Sequence, residues 1–162
     1  MKGKAMASYT DTQRTFRAIL FGCVLLLLSG CAAQAPSVTD DYNQVHDTLA
    51  DLEKNYEAEN ADAFMKMVGR DYDLDFTALE RSVNDELDDF SGFDIDLIVD
   101  RVSVDNDSGL IFAETHWTKR RVSMRTGREF IIDGETVFIF RTLPDGNLML
   151  RGMKGDPIFG GR

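Results

Sequence analysis

The chain is 162 residues long, with 18 Lys+Arg against 28 Asp+Glu, 43% hydrophobic residues, 13 Gly, 3 Pro and 2 Cys. That length makes one globular domain the default, and the composition excludes a disordered, collagenous or low-complexity polypeptide. Two cysteines are too few for a disulfide scaffold or a cysteine-built zinc site.

Lys2, Lys4, Arg14 and Arg17, against the single acid Asp11, precede an unbroken apolar run from Ala18 to Leu28. A basic segment followed by about eleven apolar residues is the pattern of a secretory signal peptide. The run is too short to span a hydrocarbon core about 30 Å thick, which takes roughly 20 helical residues. Arg14 and Arg17 are separated by Thr15-Phe16, which favours export of an unfolded chain over the twin-arginine route. The run ends in Leu28-Ser29-Gly30-Cys31, which resembles the lipobox of bacterial lipoproteins. The resemblance implies a signal peptide over residues 1–30, cleaved to leave Cys31 as an acylated, palmitate-bearing first residue. Residues 31–40 then read as the lipidated cysteine and its tether, with the lipid bilayer as partner. Ala32 stands where aspartate would imply retention at the inner membrane, so the expected location is the outer membrane, facing the periplasm. Two or three acyl chains, at roughly 0.8 kcal/mol per buried methylene, make such an anchor effectively permanent.

Charge is divided along the sequence. Residues 32–108 hold 5 bases against 21 acids, whereas residues 109–162 hold 9 bases against 6 acids. So acidic a surface repels phosphate backbones, and no nucleic acid is expected as a partner. The bases cluster at Lys119-Arg120-Arg121, with Arg125 and Arg128 behind. The stretch reads as a solvated hairpin tip that pairs with acidic helices; an anion-binding patch is the alternative.

Residues 41–162 read as a single α+β domain. Ser37-Val38-Thr39-Asp40 has capping-box spacing. Beyond it Tyr42, Val45, Leu49, Leu52 and Tyr56 form one apolar stripe to about residue 57. Asn60 can cap a short helix with Ala61, Phe64, Met67 and Val68 inward, stopped at Gly69. Thr77-Ala78-Leu79-Glu80 is a second capping box, opening a helix with Leu79, Val83, Leu87 and Phe90 on one face and ending at Ser91-Gly92. Its acids Asp85, Glu86, Asp88 and Asp89 are placed on the wet side. Strands follow over Phe93–Val104, Leu110 to about Met124, Arg128–Thr142 and Leu148–Lys154, with a phase slip near Leu97-Ile98-Val99 that predicts a bulge. Short turns between them predict an antiparallel meander of about four strands, one face covered by the three helices.

The segment from Glu59 to Tyr72, Glu59-Asn60-Ala61-Asp62-Ala63-Phe64 onward, resembles the opening of the nuclear transport factor 2-like (SnoaL-like) domains. Phe138-Ile139-Phe140 before Asp145-Gly146-Asn147-Leu148-Met149-Leu150 is similar to their last two strands. Gly155-Asp156-Pro157-Ile158-Phe159-Gly160 is similar to the ending of exported lipoproteins with this domain. Many members have tryptophan in the last strand, where this chain has Met149 and Leu150. The resemblance implies a cone, with helices on a strongly bent sheet and often a pocket between them. That family includes isomerases, dehydratases, binding proteins and assembly modules, so it does not choose a function.

Residues that could carry chemistry are few. Glu114 and His116 alternate on one side of their strand and could orient an imidazole for general acid–base work; cross-strand pairing is the plainer reading. His46 reads as a half-solvated boundary residue. Asp71-Tyr72-Asp73-Leu74-Asp75 is similar to the start of a calcium loop, but Phe76 and Ser82 stand where that loop needs Gly and Glu, so it reads as an acidic connection. No metal and no cofactor is expected. Trp117, opposite His116, either floors a ligand pocket or packs the core; Phe138, Phe140 and Tyr56 join it as ligand-binding candidates. The leading expectation is a non-catalytic envelope lipoprotein that binds a small apolar ligand or an envelope protein. A pocket isomerase or hydrolase using His116 with Glu114 is the second reading, and a homodimer through the exposed sheet face the third.

Overall fold

The computed structural model describes residues 38–161. The signal peptide, Cys31, the tether and Ser37, the cap of the first capping box, therefore lie outside the described residues. Pro36–Arg162 makes one compact unit. Within it run helices α1 (Val38–Glu57), α2 (Ala61–Lys66) and α3 (Phe76–Asp89), then strands β1 (Phe90–Asp105), β2 (Leu110–Ser123), β3 (Glu129–Thr142) and β4 (Leu148–Gly155). The strands form one antiparallel sheet in the order β1-β2-β3-β4. No helix among the described residues is long and apolar enough to cross a membrane.

Each helix follows its apolar period. In α1 the buried residues are Val45, Leu49, Leu52 and Tyr56, at steps of four, three and four. Tyr42, expected on that stripe, is 42% exposed. Asn60 caps α2, its side-chain oxygen accepting from the Ala63 amide at 3.0 Å. The cap of α3 is Asp75, not Thr77: its carboxylate accepts from the Thr77 and Ala78 amides at 2.9 and 3.1 Å. A charged acceptor at the positive end of the helix outcompetes a hydroxyl two residues later.

The α2–α3 connection seals one edge of the sheet. The Gly69 and Asp73 amides donate to the Leu150 and Arg151 carbonyls, and the Leu150 amide donates to the Met67 carbonyl, all within 2.9 Å. These bonds occupy backbone groups of β4 that would otherwise be an open template. Asp71 pairs with Arg141 and Asp73 with Arg151, so both carboxylates have guanidinium partners, as befits an acidic connection.

At the other end α3 enters β1 without a loop, Phe90 being already extended, three residues before the expected strand start. β1 bulges at Ser91/Asp94 and at Val99/Arg101, the second where the phase slip predicted it, and β3 against β4 bulges at Ile139/Phe140. Bulges raise the local twist and bend the sheet around the helices. Tyr56, Phe64, Phe93, Phe138, Phe140 and Phe159 fill the interior. The Tyr56 ring lies 5.3 Å from both Phe64 and Phe93, and Phe159 lies 4.9 Å from Tyr56.

Candidate functional site: the mouth of the cone

On β2 every second residue from Ile111 to Ser123 is buried: Ile111, Ala113, Thr115, Trp117, Lys119, Arg121 and Ser123. The first four line an apolar interior. The next two carry full charges into it, Lys119 at 0% exposure and Arg121 at 5%. Isolated charges there would be prohibitively costly, so they must be paired. Their partner is Glu86, 2% exposed, which takes the inward position after Leu79 and Val83 on α3. Lys119 Nζ donates to Glu86 Oε1 at 2.6 Å, and Arg121 Nη1 donates to the same oxygen. Tyr56 donates its hydroxyl to Glu86 Oε2.

This cluster corrects two expectations. Glu86 is not on the wet side of its helix, and of Lys119-Arg120-Arg121 only Arg120 faces solvent, with Asp94 and Glu129 as partners. Burial pushes the Lys119 ammonium down from its ordinary range while the Glu86 charge pulls it back. Burial, then the Glu86 charge and hydrogen bond, push the Tyr56 phenol up.

The segment after β4 closes over these charges. Asp156 is tied to β3 by its amide to the Glu135 carbonyl at 2.8 Å and by its carbonyl, which accepts from Thr136 Oγ1 at 2.6 Å. Residues 157–161 then cross the mouth as a strap. Lys119 Nζ donates to the Ile158 carbonyl, Arg121 Nη1 to the Gly161 carbonyl at 2.7 Å, and the Gly160 amide donates to Tyr56 Oη at 3.0 Å. Among the described residues Arg121 Nε has no partner.

Outside the strap lies a cleft of about 250 Å³ between α3, β4 and the strap. Tyr72, Leu74, Ala78, Leu79, Met153 and Phe159 supply its apolar walls, and Asp75, Ser82 and Asp156 its polar rim. Leu74 is 78% exposed. Burial pushes the Tyr72 phenol up to about 12, so it stays protonated. No group of three or more His, Cys, Asp or Glu able to hold a metal occurs among the described residues.

Trp117, Phe138, Phe140 and Tyr56 all sit in the core, and none lines this cleft. Trp117 is 4% exposed and donates its indole N–H to Thr136 Oγ1 at 2.8 Å. His116 and Glu114 share a face, as read, but it is the face turned away from the helices. Glu114 pairs with Arg101, while His116 Nδ1 lies 2.9 Å from Asp100. The structure thus brings each to a β1 residue rather than to the other, and neither reaches the cleft. Ile98 and Ile131 stand exposed among ionic residues on this face, so it is not a flat apolar surface. His46 is exposed on α1.

No family model matches the sequence, and no curated protein sequence matches it. Solved structures do match. A nuclear transport factor 2-like superfamily protein from Salmonella enterica superposes with a TM-score of 0.61 at 10% identity, over 74% of this chain and 92% of that one. A ketosteroid isomerase-like protein from Erwinia carotovora gives 0.59 at 11%, over 68% and 91%. A Catenulispora acidiphila protein in complex with S-DNPA gives 0.54 at 11%, over 70% and 90%. At such identities the likeness speaks for architecture alone. The described residues therefore have the nuclear transport factor 2-like fold, an α+β cone on a four-stranded antiparallel sheet.

Proposed function

We propose that this chain is a lipid-anchored protein of the bacterial envelope whose cone domain binds a small apolar molecule without catalysis. The observation that carries the binding role is the cleft at the cone mouth: its walls are mainly apolar, and its two carboxylates are already engaged. Asp75 caps α3 and Asp156 holds the Glu135 amide at 3.1 Å. Tyr72 keeps its proton, so it offers no base to a bound molecule. A small-molecule role also agrees with the S-DNPA complex of the Catenulispora protein.

Decanol serves as the test probe. It should bind the wild-type protein and lose affinity to Ala78→Trp, which fills the cleft from an exposed helical position. Wild-type protein that binds no apolar probe would overturn the binding role. The anchor is tested separately: Cys31→Ser should leave the membrane fraction, and its recovery there at wild-type yield would overturn lipidation.

A further inference from the structure

The strap presents to the interior what a ligand would present. Ile158 and Phe159, 0% and 1% exposed, enter the aromatic pocket, where Phe159 lies 4.8 Å from Phe64 and 6.1 Å from Phe138. Directly behind them two backbone carbonyls accept from Lys119 and Arg121. The strap is thus an apolar body with oxygen acceptors at one end.

The acceptors are weaker than the donors require. Lys119 and Arg121 share one carboxylate, Glu86, so the buried set has an excess of one positive charge. Arg121 keeps an unpaired Nε while its side chain is only 7% exposed. A carbonyl answers such donors with a partial charge; a carboxylate answers with a full one, in hydrogen bonds about twice as strong. The strap's backbone turns on two glycines. Gly155 at φ +105° precedes it and Gly160 at φ +69° lies within it, conformations that glycine alone adopts readily. Its outer side is the wall of the cleft, so a molecule held there already touches it.

We propose that the Pro157–Gly161 strap is the built-in occupant of a carboxylate site, and that an apolar molecule with one anionic head binds by displacing it onto Lys119 and Arg121. The inference rests on the cone mouth being a binding site for apolar molecules, and it adds the anionic head and the moving strap.

Hydrogen exchange of the full-length protein with decanoate, and with decanol in parallel, separates the two. Decanoate should bind and strip protection from the amides of residues 158–161, with a change in emission from Trp117. Decanol should bind with the strap still protected. Phe159→Gly, which loosens the strap, should bind decanoate roughly tenfold tighter, because the competent open state is more populated. Decanoate bound with the strap fully protected would overturn the inference and leave the cleft reading standing. No decanoate binding by wild type or by folded Phe159→Gly would also overturn it. Failure of decanol together with strap release by decanoate would instead count against the cleft alone. The wild-type exchange measurement decides the matter should Phe159→Gly not fold.

Discussion

On the helix side of β2, Lys119 and Arg121 share one carboxylate out of contact with water. On the other side Glu114, His116 and Arg120 pair with neighbours while about half exposed. The chemistry of the pairs is similar and their energetics are not. Outside, water screens each pair, and losing one changes little. Inside, the desolvation of three charges is already sunk into the fold, so a missing partner leaves an uncompensated ion in an apolar wall. The inner cluster therefore makes the cone dependent on Glu86, although replacing all three charges by packed apolar groups need not destabilise it.

The largest expected effect tests that dependence. Glu86→Ala orphans two buried cations and the Tyr56 hydroxyl, and should cost about 4–5 kcal/mol in denaturant unfolding. A loss below about 1 kcal/mol would place the cluster with the surface pairs. Next come two neighbours in sequence on opposite faces. Trp117→Ala should cost about 3–4 kcal/mol, since a large buried side chain leaves a cavity. His116→Ala should stay within about 0.5 kcal/mol of wild type. Equal losses would erase the distinction between faces.

A pH-dependent effect lies between the two environments. Glu53 on α1 is half-buried beside Glu57, Asp96 and Asp94, and burial first, then those like charges, push its carboxyl from 4.5 up to about 7. The folded chain therefore holds a proton that the unfolded chain has shed. The contribution of Glu53 to stability is full below about pH 4.5 and is lost as pH rises through about 7. Glu53→Gln should remove that fall, raising stability at about pH 8 by on the order of 1 kcal/mol after solvent screening. An identical pH profile for both proteins would refute the assignment.

Much of the scaffold was legible in the sequence because local period dictates it: the α1 stripe, the Asn60 cap, the strand order and the β1 bulge. The charge cluster was legible in principle and was misread. Lys119 and Arg121 share the parity of Ile111, Ala113 and Trp117, and Glu86 continues the inward steps of Leu79 and Val83. A charge at an inward position reads as exposed when it stands alone, and that rule fails when partners arrive from another element. The Asp75 cap was missed because a capping box at Thr77 also satisfies the local rule. The strap was illegible for a deeper reason: nothing near Ile158 or Phe159 says where they land, since their partners are distant in sequence. His116 with Glu114 shows the converse, as their spacing fixes a shared face but not which face is inside.

That distance in sequence also sets the order in which the domain can be completed. Tyr56 meets Gly160 across 104 residues, and Gln44 meets Gly146 across 102. The meander can zip hairpin by hairpin as the polypeptide lengthens, because its pairings are between neighbours. The mouth cannot: until residues 158–161 are synthesised, Lys119 and Arg121 lack their carbonyl acceptors and the aromatic interior lacks Phe159. Before residues 158–161 dock, the domain would thus carry a nearly finished sheet around an open, cationic interior, and their docking would close it.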